Sequence, residues 1–112
     1  MSNAVARRLE SIQEHSGITG RDVAQLLDTT PQTISRWRTG QSSPQPRHLD
    51  QLLTLEWLVT QLSAYYTSDE AKLWLFSPHP QLGGGRPADL IAERKTDEVL
   101  RLIDQLDSAA YI

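Results

Sequence analysis

The segment from Gly20 to Trp37 constrains this chain most, because its apolar spacing fits two short helices folded back through a tight turn. Val23, Ala24 and Leu27 form one apolar face, and Ile34 and Trp37 form another. Between them stands Asp28-Thr29-Thr30-Pro31. Thr30 is a favourable N-cap, and Pro31 fits a first helical position, where the missing N–H costs nothing. The second helix reads from Pro31 to Thr39, with Gly40 as its stop. At about 100° per residue, Ile34 and Trp37 turn inward while Gln32, Ser35, Arg36 and Thr39 turn outward. Short polar side chains and a guanidinium on an exposed helix suit base edges in a DNA major groove. Asp28 holds a turn position where glycine is common, and aspartate tolerates left-handed geometry better than most residues. A plain helical hairpin is the competing reading. The capping box Thr19–Asp22, the Thr-Pro helix start and the small Ala24 at the helix crossing favour a helix-turn-helix. Gln32, Ser35 and Arg36 are then expected at base edges, with Thr33 and Arg38 beside them at phosphates.

The remainder is helical in pattern, and no stretch alternates over a strand's length. A first helix is expected from Asn3 to Ser16, carrying Val5, Leu9 and Ile12 and ending at Gly17. Ile18 is placed to staple onto Val23. Ser43-Pro44-Gln45-Pro46 opens a long helix reading to Tyr66. Leu49, Leu52 and Leu53 are read on one side of it, and Leu55, Leu58, Val59, Leu62, Tyr65 and Tyr66 on the other. A stripe that switches faces is expected to serve two cores, or one core and one subunit interface. Thr67 and Glu70 form a second capping box before a helix ending near Phe76. The run Ser77 to Pro87 is loop, and Pro87 begins a helical turn through Leu90 and Ile91. A last helix starts near Thr96 with Val99, Leu102, Ile103, Leu106 and Ala110 as its stripe and Leu100 off it. Trp57, Trp74 and Phe76 are expected in the core, with an interface role the alternative for Trp57. The fold class is all-α: a helix-turn-helix domain over residues 1–48, a connecting and dimerising helix over 49–66, and a small helical domain over 67–112.

Composition narrows the function classes. The 112 residues include no cysteine, which excludes disulfides and thiolate metal sites. No apolar run of about 18 residues is present, so a soluble, cytoplasmic chain without membrane contact is expected. His15, His48 and His79 fall in different elements without a ligand-spaced partner, so they read as surface or capping histidines and no metal is expected. Gly83-Gly84-Gly85 lacks the Lys-Ser/Thr ending and preceding strand of a phosphate loop. No Ser–His–acid spacing is present either, so catalytic residues, cofactors and enzymatic activity are not expected. The net charge is −3. Residues 1–50 carry six basic against five acidic groups, and residues 51–112 carry five against nine. The near-neutral first half allows few phosphate contacts per chain, so DNA binding calls for two copies. Ala109-Ala110-Tyr111-Ile112 is an apolar end that avoids water only by docking.

Several separate pieces of the second half together carry a family signature. Ala71-Lys72-Leu73-Trp74-Leu75, Pro78, Leu82-Gly83-Gly84, Pro87-Ala88-Asp89-Leu90-Ile91 and Val99 resemble the toxin-binding domain of Xre/MbcA/ParS-type antitoxins. The first half is similar to the Xre-type helix-turn-helix that precedes it, including the Ser35-Arg36-Trp37 ending of its second helix. Three positions depart from that pattern: His79 replaces the usual Asn, Gly85-Arg86 precedes Pro87, and Ala109-Ala110 stands where a glycine is frequent. The resemblance implies a type II antitoxin whose partner is a RES-domain toxin consuming NAD⁺ by ADP-ribosyl transfer, hydrolysis or phosphorolysis. It implies that Asp107, Ser108, Ala109, Ala110, Tyr111 and Ile112 obstruct the toxin's NAD⁺ pocket. Trp74, Pro78, Leu82, Gly83, Gly84 and Pro87 would complete the toxin-binding set. It further implies a homodimer within a hetero-oligomeric toxin–antitoxin complex, binding operator DNA to repress its own operon. The alternative is a plain helix-turn-helix regulator whose C-terminal half dimerises or binds an effector.

Overall fold

Side-chain caps decide where the helices begin. The computed structural model describes residues 3–109, in which seven α-helices follow one another without a strand. They are α1 (Ala4–Ser16), α2 (Gly20–Leu26), α3 (Pro31–Thr39), α4 (Pro46–Leu62), α5 (Ser68–Phe76), α6 (Pro87–Ala92) and α7 (Thr96–Ala109), with a 3₁₀ turn at Pro80–Leu82. Asn3 is the N-cap of α1 rather than its first residue, its Oδ1 accepting from the Ala6 amide at 2.7 Å. Both halves of the Thr19–Asp22 and Thr67–Glu70 capping boxes are formed. The Thr30 hydroxyl accepts from the Thr33 amide at 3.1 Å to start α3. Ile18 and Val23 are both buried, as a staple requires.

The turn between α2 and α3 forms as expected, with Asp28 at φ 54° and the Thr29 amide closing onto the Ala24 carbonyl at 2.8 Å. A second non-glycine residue in the left-handed region, Arg94 at φ 64°, had no counterpart in the sequence reading. It ends α6 in a Schellman pattern, Lys95 N–H to Leu90 O at 2.7 Å and Arg94 N–H to Ile91 O at 3.1 Å.

Helix α4 departs from expectation in two ways. It stops at Leu62 rather than Tyr66, because the chain tightens there into three-residue hydrogen bonds, Ala64 to Gln61 and Tyr65 to Leu62. Its buried stripe also does not switch faces. Leu52, Leu55, Leu58, Val59 and Leu62 all have 0 % exposure. Leu52 and Val59 are seven residues apart, close to two full turns, so Leu52 belongs with this set. Leu53 and Trp57 form a separate strip at 37 % and 48 % exposure, so Trp57 is not a core residue. Trp74 is buried, and Phe76 packs half-buried against the core.

One continuous core results, running from Leu9 and Ile12 through Ile34 and Trp37 to Val99 and Ile103. Helix α1 packs on α3, α4 and α5, while α6 packs on α2, α5 and α7. The C-terminal helices therefore complete the burial of the helix-turn-helix instead of standing apart from it.

His48 lies in the first turn of α4. Its ring packs against Trp37 with centroids 5.5 Å apart, and its Nε2 is buried without a hydrogen-bond partner among the described residues. Burial pulls its pKa below the ordinary 6.5, the Arg47 and Arg94 charges push the same way, and Asp28 opposes them. The unfolded chain thus takes up the proton more readily than the folded one. The stability held by the neutral ring is complete above 6.5 and drains away as pH falls below it toward and through the lower folded value.

Two outcomes are expected in denaturation measured by circular dichroism. Asp28→Gly should be nearly neutral, whereas Asp28→Val should cost about 1–2 kcal/mol by forcing a branched side chain into left-handed backbone. Between about pH 7.5 and 5.5 the wild-type midpoint should fall further than that of His48→Gln. Equal falls would remove His48 as the titrating group.

Candidate nucleic-acid interface and partner surface

Helix α3 presents the expected face. Ile34 and Trp37 are buried at 1 % and 3 % exposure, which forces Gln32, Ser35, Arg36 and Arg38 outward. The helix contains two arginines and no acid, and both arginines sit in its last turn, where the dipole favours cations. No ion pair among the described residues engages Arg36. Thr33 is differently placed. It is half-buried, and its hydroxyl lies 2.9 Å from that of Thr30, within the cap. The Arg38 guanidinium lies over the start of α2: a Cβ at Gly20 would stand 3.5 Å from its Nη2 and 3.4 Å from Ile34 Cγ2. Gln32, Ser35 and Arg36 thus lie exposed together with Arg38 exposed at the flank beside α2, an arrangement able to offer donors and positive charge to a groove.

The second surface is built around the loop between α5 and α6. The His79 amide donates to Gly85 O at 3.0 Å, and His79 O accepts from the Leu82 and Gly84 amides at 3.0 Å each. Gly83 and Gly84 take φ of 66° and 85°, which explains glycine at both. The His79 ring packs on Trp74 at 4.9 Å, and its Nε2 lies 3.0 Å from Trp74 O. A carbonyl can only accept, so Nε2 carries the hydrogen. His79 thus does the work of a side-chain amide, closing the loop onto the end of α5. Arg86 clamps Asp89 with two hydrogen bonds, of 2.9 and 2.7 Å, across the first turn of α6. The hydrogen bond from Arg86 holds the Asp89 carboxyl below its ordinary 3.8.

The predicted partner-binding residues divide by position. Trp74 (8 % exposed) and Pro87 are buried, Trp74 against the His79 ring of the loop. Pro78, Gly83 and Gly84 are exposed along its outer edge, and Leu82 is half-buried. Asp107 and Ser108 are helical residues of α7, and Asp107 accepts a hydrogen bond from the Tyr65 hydroxyl. Ala109 ends α7, while Ala110, Tyr111 and Ile112 lie outside the described residues.

Two further apolar surfaces are present, the first containing Trp57, whose alternative reading from sequence is an interface role, and the second without a counterpart in the sequence reading. Leu53 and Trp57 line a shallow cleft with Thr54, Leu100 and Asp104, between α4 and α7. Leu73, 69 % exposed, lies beside Phe76 and the Asp22–Lys72 ion pair of 3.5 Å. In both places the available signal was an apolar residue off the buried stripe of its helix, as Leu73 is beside Trp74 and Leu75. Among the described residues no cluster of three or more His, Asp or Glu is placed to hold a metal ion. None of the described helices is long and apolar enough to cross a membrane.

Comparison with known proteins matches both halves of the chain to known domains. Residues 4–55 match a helix-turn-helix domain family, and residues 61–108 match the antitoxin Xre/MbcA/ParS C-terminal toxin-binding domain. The mycobacterial cidal antitoxin MbcA of Mycobacterium tuberculosis is 30 % identical over 110 residues, covering 98 % of this chain and 97 % of the relative. The protein of that name from Mycobacterium bovis gives the same figures. The crystal structure of the M. tuberculosis MbcT–MbcA toxin–antitoxin complex contains a chain that superposes with a TM-score of 0.82 at 30 % identity, over 98 % of this chain and 99 % of that one. With both halves matched in order and the likeness running nearly end to end, the chain belongs to the Xre/MbcA/ParS family of antitoxins.

Proposed function

We propose that this chain is the antitoxin of a type II toxin–antitoxin pair and silences an NAD⁺-degrading RES-domain toxin by seating its C-terminal tail in the toxin's cleft. The observation that carries this reading is the end-to-end likeness to MbcA, a protein solved in complex with its toxin MbcT. The tail, Asp107 to Ile112, begins on α7, whose Val99 and Ile103 are fully buried and whose Asp107 accepts a hydrogen bond from the Tyr65 hydroxyl, so its start is tied to the fold. An anchored start lowers the ordering cost of inserting the apolar residues that follow. Pro78, Leu82, Gly83 and Gly84 would meet the rim of the cleft, with Trp74 and Pro87 holding that loop in shape.

The same chain is proposed to repress its own operon through α3, with Gln32, Ser35 and Arg36 at base edges and Thr33 and Arg38 nearer the backbone. Thr33 is the weakest of these, because its hydroxyl is engaged in the cap. A homodimer within the toxin complex would double the few phosphate contacts that residues 1–50 afford. The exposed strip of α4 at Leu53 and Trp57 supports residues 49–66 as the self-contact. In this reading residues 1–48 read DNA and residues 67–112 bind toxin.

Two variants separate the activities. Removal of residues 109–112 should weaken toxin inhibition roughly 30-fold or more in an NAD⁺-consumption assay, while operator binding persists. Full inhibition by the shortened chain would reject the tail as the plug. Arg36→Ala should lower operator affinity roughly tenfold or more in a gel-shift titration and leave inhibition intact. Unchanged DNA affinity would show that α3 does not read the groove through this residue.

A further inference from the structure

We infer that Asn3 is the positioning residue for the DNA-reading helix, because its side-chain amide caps two helices at once and ties the end of α3 to the start of α1. This rests on α3 being the reading helix. The Oδ1 atom accepts from the Ala6 amide at 2.7 Å, the N-cap of α1. The Nδ2 atom of the same amide donates to Trp37 O at 3.2 Å, with Arg38 O a longer contact at 3.5 Å. A donor-only atom faces carbonyls and an acceptor-only atom faces an N–H, so both ends of the group agree on one orientation.

The position of the tether gives it leverage. Trp37 O and Arg38 O belong to the last turn of α3, where carbonyls have no partner farther along the helix. The chain leaves that turn through Gly40, at φ 82°, into a polar and largely exposed connection to α4. Gly40 N–H also reaches Trp37 O, at 3.3 Å, and Ser42 N–H reaches Arg36 O at 3.3 Å. Those bonds fold the loop onto its own helix. Among the described residues, the Asn3 amide supplies the side-chain hydrogen bond between this end of α3 and another helix. Thr30 fixes the opposite end through its cap. Arg36 and Arg38 flank the tethered Trp37, so a small rotation of this turn swings long side chains away from any partner they must meet within hydrogen-bonding distance.

The residue type matches the task. Ser, Thr or Asp would cap α1 about as well as Asn. Of these, Asp offers the α1 amide an acceptor but faces the α3 carbonyls with negative charge instead of an N–H. Asn3→Asp therefore keeps one function of the side chain and reverses the other.

The experiment compares full-length wild type, Asn3→Asp, Arg36→Ala and the double variant on a duplex carrying the chain's own promoter region. Asn3→Asp should bind that duplex about tenfold more weakly, with helical content and toxin inhibition as in wild type and faster amide exchange at Gly40 and Ser42. The double variant should lose less affinity than the product of the two single losses, since part of what Asn3 does runs through Arg36. Wild-type affinity in Asn3→Asp would overturn the assignment, as would multiplying losses in the double variant. So would a loss of DNA binding matched by loss of helix and of toxin inhibition, which would mark a merely structural role. A wild-type chain with no affinity for the duplex would reject α3 as a reading helix, a failure distinct from the others because it appears before any substitution.

Discussion

Burial of the α4 stripe against α1 is the contact on which the rest of the molecule depends. Leu52, Leu55, Leu58, Val59 and Leu62 have no exposed surface, and Ala6, Leu9 and Ile12 of α1 are buried as well. Each large aliphatic side chain removed from water in this way contributes about 1.5–3 kcal/mol. By comparison the Arg8–Glu56 ion pair between the same two helices is partly exposed and adds little. Because α1 also packs on α3 and α5, one helix orients both the polar face of α3 and the base of the C-terminal half.

The two candidate surfaces are built by different physics. The face of α3 is polar, carries two arginines and is held rigid by caps at both ends and by the buried Ile34 and Trp37. The C-terminal half presents a glycine-shaped loop and, on a separate surface, apolar side chains such as Leu73 at 69 % exposure. Acidic groups outnumber basic ones nine to five across residues 51–112, which disfavours nucleic acid there. Apolar contact with polar surroundings is the usual composition of a protein-docking surface. The unequal charge of the halves therefore agrees with the division of labour proposed.

Much of this was legible locally. The caps at Thr19, Thr30 and Thr67, the left-handed turn at Asp28 and the stops at Gly17 and Gly40 depend on a few neighbouring residues and were read correctly. Grouping Leu52 with Leu49 and Leu53 by closeness in sequence misplaces it, since its seven-residue spacing from Val59 already sets it on the buried face and leaves Leu53 off that face. His48 and His79 read as surface or capping histidines; His79 does cap the last turn of α5 through Trp74 O, whereas His48 packs against a tryptophan brought to it by the fold. His79 meets Trp74 five residues earlier in the chain, whereas His48 meets Trp37 across a loop and a change of helix.

The amino-acid order alone determined that the chain would be helical, where most helices would start and which face of α3 would stay polar. Those properties follow from hydrogen bonds and periodicities spanning a handful of residues. Tertiary structure decided that both halves share one core, that Trp57 stands in the open, and that Asn3 reaches the end of α3, 34 positions away in sequence. Such contacts depend on which helices lie side by side, and that is settled by the joint burial of apolar faces contributed from the whole length of the chain.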